Sequence, residues 1–290
     1  MKLSQLYDRV IKCGADSDPR RDKAAIASFA DTAVLHGSPD KEIRKILIGI
    51  DIEVSELLLA DRIRSQRGLD LVIAHHPQGA AYASLFEVMQ VQVDQLESLG
   101  IPRKPAQEMV DERKREVQRK ISPANHMRAV DAARILDMAF MCVHTPADNH
   151  AYSFVNKTLK DAKPQKLGQI IDILKAIPEY EEAGINCCGP KIIMGNPNRQ
   201  TGGIFVEMTG GTEGPKDVYD KLYKAGVRTL VSMHLSEEHF KKVSDANLNV
   251  VIAGHISSDT LGMNLLLDKV EKEQKFSIIS CSGFRRIRRI

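Results

Sequence analysis

Short apolar runs that end abruptly alternate along this chain with longer stretches in which apolar residues recur every three or four positions. The first pattern reads as buried strand and the second as amphipathic helix. KILIGID (45–51), LDLVIA (69–74) and AFMCVH (139–144) predict strands, with helices at EVSELLLADRIRSQ (53–66), MRAVDAARILDM (127–138) and NHAYSFVNKTL (149–159). Farther on, KIIMG (191–195), GIFVEM (203–208), RTLVSM (228–233), NVVIAGH (249–255) and FSIISC (276–281) predict strands again. Helices at GPKDVYDKLYKAG (214–226), EEHFKKVSDAN (237–247) and TLGMNLLLDKVEKEQ (260–274) fall between them. The alternation predicts an α/β protein with mixed sheets in two lobes. The stretch 160–186 carries neither pattern and marks the seam, with lobe one over about 1–160 and lobe two over about 185–290.

Residues 81–125, from AYASLFEVMQ to ISPAN, interrupt this rhythm and predict two consecutive helices. The second, QEMVDERKREVQRK, is dense in charge. Pairs such as Glu112 with Arg115 and Glu116 with Lys120 have the spacing of a solvated helix face held by ion pairs. An insert in this position also offers a cover for a site or a surface for a subunit interface.

Composition narrows the class. The chain has 290 residues, 43% hydrophobic and 27% charged, ordinary values for a globular protein with a sizeable core. A net charge of +3 gives no ground for a nucleic-acid or membrane partner. No apolar run reaches the length of a membrane span, and the opening MKLSQLYDRV lacks the apolar centre of a signal peptide. Cys13, Cys142, Cys187, Cys188 and Cys281 are odd in number, and none stands in a C-x-x-C pair. That usage is neither a disulfide framework nor a zinc ribbon, and it fits a reducing cytoplasm.

Three of the strand-like runs share one design. LVIAHHP, FMCVHTPAD and VVIAGHISSD each close an apolar run with residues able to bind a metal: His75 and His76, His144 and Asp148, His255 and Asp259. In open α/β sheets, ligands lie beyond the carboxyl ends of the strands, so three such ends can converge on one centre. His144 and Asp148 are four apart, as are His255 and Asp259, which puts each pair on one face if the turn between them is helical. Imidazole and carboxylate donors suit Zn, Fe, Mn or Ni rather than Ca or Mg. Any one of these histidines alone would read as a hydrogen-bonded strand-end residue. Together the three clusters point to divalent transition metal ions, one or two per chain.

In this order, LVIAHHP, VHTPAD and AGHISSD resemble the Nif-three-like dinuclear metal-binding family, whose members carry the name GTP cyclohydrolase I type 2 homologue. The resemblance runs over most of the chain and implies a single unit over 1–290. GID (49–51) resembles the family's first strand, ending in Asp, and ADTAVLHG (30–37) looks like a degenerate form of its N-terminal Asp-Asn-x-Gly-Leu segment. The resemblance implies that His75 and His76 each bind a different ion, that Asp148 binds or bridges the pair, and that His255 completes one sphere. His144 stands either with them or behind Asp148 as an orienting residue. It further implies a homo-oligomer, a ring-like hexamer whose sites face an internal cavity. Asp259 stands where the family usually has Glu, and one methylene less removes about 1.5 Å of reach. The expectation is an asymmetric centre, with one ion held tightly and the second weakly. The segment between His76 and Asp148 is longer than family members usually show and contains the helical insert.

Other features weigh less. His150, His234 and His239 read as solvated surface histidines, with His234 in MHLSEEH also placed to line a pocket from its rim. Cys187 and Cys188 precede Gly189-Pro190 and read as loop or buried thiols. MTGGTEGPKD (208–217) lacks the Lys-Ser/Thr ending of a phosphate loop and reads first as a strand-to-helix turn. The terminal FRRIRRI reads as an edge strand or docked tail with a basic outer face, ahead of a nucleic-acid arm. Two functions follow. One is a metal-dependent hydrolase acting on a nucleotide or related small molecule, with water activated by the ions as nucleophile. The other is a non-catalytic metal-handling or scaffold protein. An open coordination position favours the first and a closed set of protein ligands the second.

Overall fold

The computed structural model describes residues 1–289. Its strands are β1 (Ala33–His36), β2 (Lys45–Gly49), β3 (Leu71–Ala74), β4 (Phe140–Cys142), β5 (Lys191–Met194), β6 (Gly203–Glu207), β7 (Val227–Ser232), β8 (Asn249–Ile252) and β9 (Ser277–Cys281). They form two mixed sheets. In the first, ordered β1-β4-β3-β2-β9, all neighbours are parallel except β1, which runs antiparallel to β4. In the second, ordered β5-β8-β7-β6, only β5 is antiparallel. LVIA of β3 is buried at every residue. A strand between parallel neighbours with helices on both faces has no polar side, hence the continuous rather than alternating apolar run.

The helices are α1 (Leu3–Asp16), α2 (Val54–Arg67), α3 (Gly79–Ala83), α4 (Val91–Ser98), α5 (Arg103–Ile121), α6 (Arg128–Ile135), α7 (Thr145–Ala162), α8 (Leu167–Lys175), α9 (Pro178–Ile185), α10 (Tyr219–Lys224), α11 (Glu237–Asp245) and α12 (His255–Val270). Leu6 and Val10 of α1 and Leu266 of α12 pack on Ile46, Ile48 and Ile73 of the first sheet. Leu57 and Ala60 of α2 and Ala133 of α6 cover Leu47, Val72 and Phe140 on its other face. On the second sheet, Val155 and Leu159 of α7 and Ile170 of α8 meet Val206, Val231 and Val251. The opposite face, Phe205, Leu230 and Val250, is covered by Leu222 of α10, Val243 of α11, and Val93 and Val110 of the insert. No helix among the described residues is long and apolar enough to cross a membrane.

Several expectations need correction. The seam over 160–186 contains two helices, α8 and α9, because Leu167, Ile170 and Leu174 make one buried stripe and Pro178 suits the first position of α9. The first lobe also claims the last strand: β9 pairs in parallel with β2, so the second lobe stops short of the C-terminus. Neither α1 nor β1 was evident in the pattern, β1 being four half-buried residues at a sheet edge. The insert bridges the lobes, rooted in the first and packed on the second sheet. Its outer face is ion-paired as expected for Glu112 with Arg115 (2.7 Å), whereas Glu116 pairs with Arg113 (2.9 Å) instead of Lys120. Of the two forms expected for the tail, the docked one is found: its arginines form no strand among the described residues, Arg285 stays largely exposed, and the others pair inward. Arg286 bonds the buried Glu271 (2.7 Å) and Asp268, Arg288 also reaches Glu271 (3.2 Å), and Arg289 pairs with the buried Glu179.

The two lobes meet where α7 lies along α12. Gly262 makes that approach feasible, because a Cβ there would fall 2.4 Å from the Ala147 carbonyl oxygen. Gly262→Ala is expected to destabilise the fold by about 1–3 kcal/mol through overpacking, measured as a lower denaturant midpoint. The tail gives a pH signature. Burial alone would raise the Glu271 carboxyl, but Arg288, Arg286 and the Phe276 N–H hold it down to about 2 from the ordinary 4.5. Its contribution to stability is therefore present above the unfolded value and lost as pH falls towards the folded one. Glu271→Gln is expected to lower stability at neutral pH and to flatten the acid limb of a stability–pH curve in that window.

Candidate metal centre

β3 and β4 are parallel neighbours, so their carboxyl ends deliver His75, His76 and His144 to one edge of the first sheet. The chain then turns sharply into helices. His144 caps α7 and Asp148 follows in its first turn, where the helix N-terminus favours a carboxylate. Beyond β8, Gly254 takes φ +115° and α12 begins at His255, which places Asp259 one turn on. Both four-residue spacings therefore fall on helical first turns, and the close contact of α7 with α12 brings the two acids together.

Each inner imidazole is anchored through Nδ1. His75 donates to the Val143 carbonyl at 3.0 Å, His76 to Asp51 Oδ1 at 2.7 Å, and His144 to Asp31 Oδ2 at 2.8 Å. Those partners only accept, so Nδ1 carries hydrogen and Nε2 is left facing the centre. His75 Nε2 lies 3.5 Å from both Asp148 Oδ1 and Asp259 Oδ1, and His144 Nε2 lies 3.8 Å from Asp148 Oδ2. His76 Nε2 and His255 Nε2 lie 3.4 and 3.6 Å from Asp259 Oδ2. The shorter acid thus still presents one oxygen to His75 and the other to His76 and His255.

These residues fit a metal. His75 Nε2, Asp148 Oδ1 and Asp259 Oδ2 are buried without a hydrogen-bond partner, a costly arrangement unless something else satisfies them. Ligands about 2.1 Å from a tetrahedral ion stand about 3.4 Å apart, close to the separations found. Among the described residues two groups are compact enough to hold an ion: His75, His76 and Asp259, and His75, His144 and Asp148. His144 stands within the second group, and the orienting position is taken by Asp31, which also accepts from Thr145 Oγ1 at 2.6 Å.

The site's electrostatics follow the same crowding. Burial would lower the His76 imidazole, but the carboxylates of Asp259 and Asp51 raise it to about 10, so a proton sits there in the metal-free protein. Burial likewise opposes the charge on His144, and Asp148 and Asp31 outweigh it. His255 has less support, and burial pushes it down to about 4. Asp259, among three imidazoles, is held below the usual carboxylate range despite its burial, whereas burial raises Asp148.

A small pocket of about 50 Å³ opens beside the two acids, lined by His144, His255, Glu207, Glu213, His234 and the loop after β6. The MTGGTEG segment is therefore a pocket wall as well as a turn. Gln92 of the insert holds it by donating to the carbonyls of Gly210 (3.1 Å) and Thr212 (2.9 Å), and Arg113 donates to that of Glu213 (3.1 Å). His234 lies at the rim, half-exposed, its ring 4.7 Å from that of His255. His150 and His239 are not surface residues. His150 is buried and bonds the Pro146 carbonyl (2.7 Å); His239 is buried between Ser236 Oγ (2.8 Å) and the Gly214 carbonyl (3.0 Å). Cys187 and Cys188 are exposed loop thiols and belong to neither ligand group. Sequence reasoning missed the orienting roles of Asp31 and Asp51, although both lie in segments it had marked, and it missed Glu207 and Glu213 entirely.

No protein-family model and no curated protein matches the chain. Its fold does match solved structures. A NIF3 superfamily protein from Sphaerobacter thermophilus superposes with a TM-score of 0.80 at 25% identity, over 98% of this chain and 99% of that one. The fold of this chain is that of the NIF3 superfamily. Reduced HcgD from Methanocaldococcus jannaschii shares the fold at 14% identity (TM-score 0.56, 97% of each chain), as does TTHA1606 from Thermus thermophilus at 16% (TM-score 0.53, 97% of each chain). This NIF3 fold places the insert on the second sheet and the histidine-bearing strand ends of the first sheet beside α12.

Proposed function

We propose that this protein is a metal-dependent hydrolase that holds two divalent transition metal ions and acts on a nucleotide or related small molecule. The observation that carries this reading is the set of Nδ1-anchored imidazoles whose Nε2 atoms meet two buried, unsatisfied carboxylates at the floor of a pocket. His75, His144 and Asp148 would hold one ion and His76 and His255 the other, with Asp259 between them. When bound, such ions supply Lewis-acid polarisation and a water acidified towards neutrality. The chain's own part is to fix the donors, through Asp31, Asp51 and the Val143 carbonyl, and to exclude bulk water with the insert-held loop. Asp148 would give its buried, unpartnered Oδ1 to the ion it shares with His75 and His144, leaving Oδ2 to accept a proton from a nucleophile. The nucleotide assignment rests on the resemblance to GTP cyclohydrolase I type 2 homologues. A homo-oligomer, by the same resemblance a hexamer, is supported by the exposed Leu58 and Leu59 of α2 and Ile135 of α6. The non-catalytic reading, a metal-handling protein, becomes the better one if loaded protein hydrolyses no nucleotide, phosphoester or cyclic amide.

Two measurements test the centre. Protein prepared without chelator is expected to carry up to two ions of Zn, Fe, Mn or Ni per chain by elemental analysis. His76→Ala should remove mainly one of them, because its Nε2 faces only Asp259 Oδ2; unchanged metal content would make His76 structural. Asp31→Asn should weaken the ion beside His144 by about 10–100-fold in chelator competition, the usual effect of losing an orienting carboxylate.

A further inference from the structure

One carboxyl in the pocket wall belongs to neither ligand group. Glu207 ends β6 with its side chain in the pocket wall. Its Oε1 accepts from the Gly214 N–H at 3.1 Å, and its Oε2 is buried without any partner. Residue 214 is built to allow this, since a Cβ there would lie 3.0 Å from Glu207 Oε1. No lysine or arginine forms an ion pair with Glu207 among the described residues. The charges that act on it are Glu213, His234 and the more distant Arg113, and the Tyr219 hydroxyl, sensitive to its charge, is buried without a partner too. An unpaired buried carboxylate is expensive, so such a group stays protonated into the neutral range. Burial, with the repulsion of Glu213, raises this one to about 7, although the Gly214 N–H opposes the rise.

We propose that Glu207 is a proton donor of this pocket, acting from the end of β6 on a ligand held at the metal centre. The proposal rests on the hydrolytic reading above. Hydrolysis adds one water across the scissile bond. The water oxygen bonds to the electrophilic centre, the bond to the leaving nitrogen or oxygen breaks, and that atom takes the proton of Glu207. The proton released by the water then restores the Glu207 carboxyl, so no other reactant is needed. A carboxyl neutral near the operating pH is suited to this exchange.

The test compares wild type with Glu207→Gln, which keeps an acceptor for the Gly214 N–H. Infrared difference spectra of the metal-free pair should contain a protonated-carboxyl band in wild type, lost with a midpoint near 7 and absent from the variant. In cobalt-loaded protein, acetate binding followed by visible absorbance should weaken from pH 6 to pH 8 by about tenfold more in wild type than in the variant, because an ionised Glu207 repels the anion. Cobalt content should be equal in both. Absence of the band, equal acetate profiles, or loss of cobalt from the variant (which would make Glu207 a ligand) would each overturn the proposal. If neither protein takes up cobalt, the metal-centre reading fails by itself, and the infrared band still decides whether Glu207 is the neutral acid described.

Discussion

The contact between α7 and α12 is the constraint on which the rest of the site depends. Each helix starts at the end of a strand, one in each sheet, and each carries a carboxylate in its first turns. Only because Gly262 lets the helices approach to the Ala147 carbonyl do Asp148 and Asp259 come within reach of the same imidazole, His75. The helices thereby serve as the joint between the lobes and as the scaffold of the centre. A loss of packing there would be felt as a loss of geometry at the site.

Around that joint, precision comes from behind the donor atoms. A carbonyl and two carboxylates grip the Nδ1 side of three imidazoles, which fixes tautomer and ring direction before any cation arrives. The arrangement concentrates unsatisfied donors and acceptors in a small buried volume. Buried polar groups left this way act against stability, so the centre is purchased from the surrounding core, whose strands are buried on both faces. Asp259 is instructive here. Its shorter side chain does not prevent it from facing both sides of the centre, because it rises from a helix already packed tightly against the other lobe.

The helical insert braces one wall of the pocket. It springs from the first lobe, covers the second sheet, and clasps the glycine-rich loop through Gln92 and Arg113. The loop in turn sets the wall that holds Glu207 and Glu213 beside the centre. The charged face of α5 remains a solvated, ion-paired surface, while its apolar stripe does the docking. The solvated face expected of this segment is thus one side of the helix, while the other side docks on the second sheet rather than over the site itself.

The ligand-type residues were legible in the chain because their chemistry sits at strand ends, where a local apolar run stops and a helical spacing begins. LVIAHHP, FMCVHTPAD and VVIAGHISSD each declare a strand end and a donor within a few residues, and most strands were equally plain because buried parallel strands are continuously apolar. What local pattern cannot contain is a partner distant in sequence. Asp31 on His144, the return of β9 to the first sheet, the burial of His150 and His239, and the inward pairing of the terminal arginines all depend on contacts between segments far apart in the chain. Glu207 is the clearest case: in sequence it is one acid in GIFVEM, and only packing that buries its Oε2 without a partner in the pocket wall raises its carboxyl above the ordinary range. The sequence by itself determined which atoms this protein offers to a metal; the tertiary structure decided which of them meet, because desolvation and orientation belong to the folded assembly and not to any single segment.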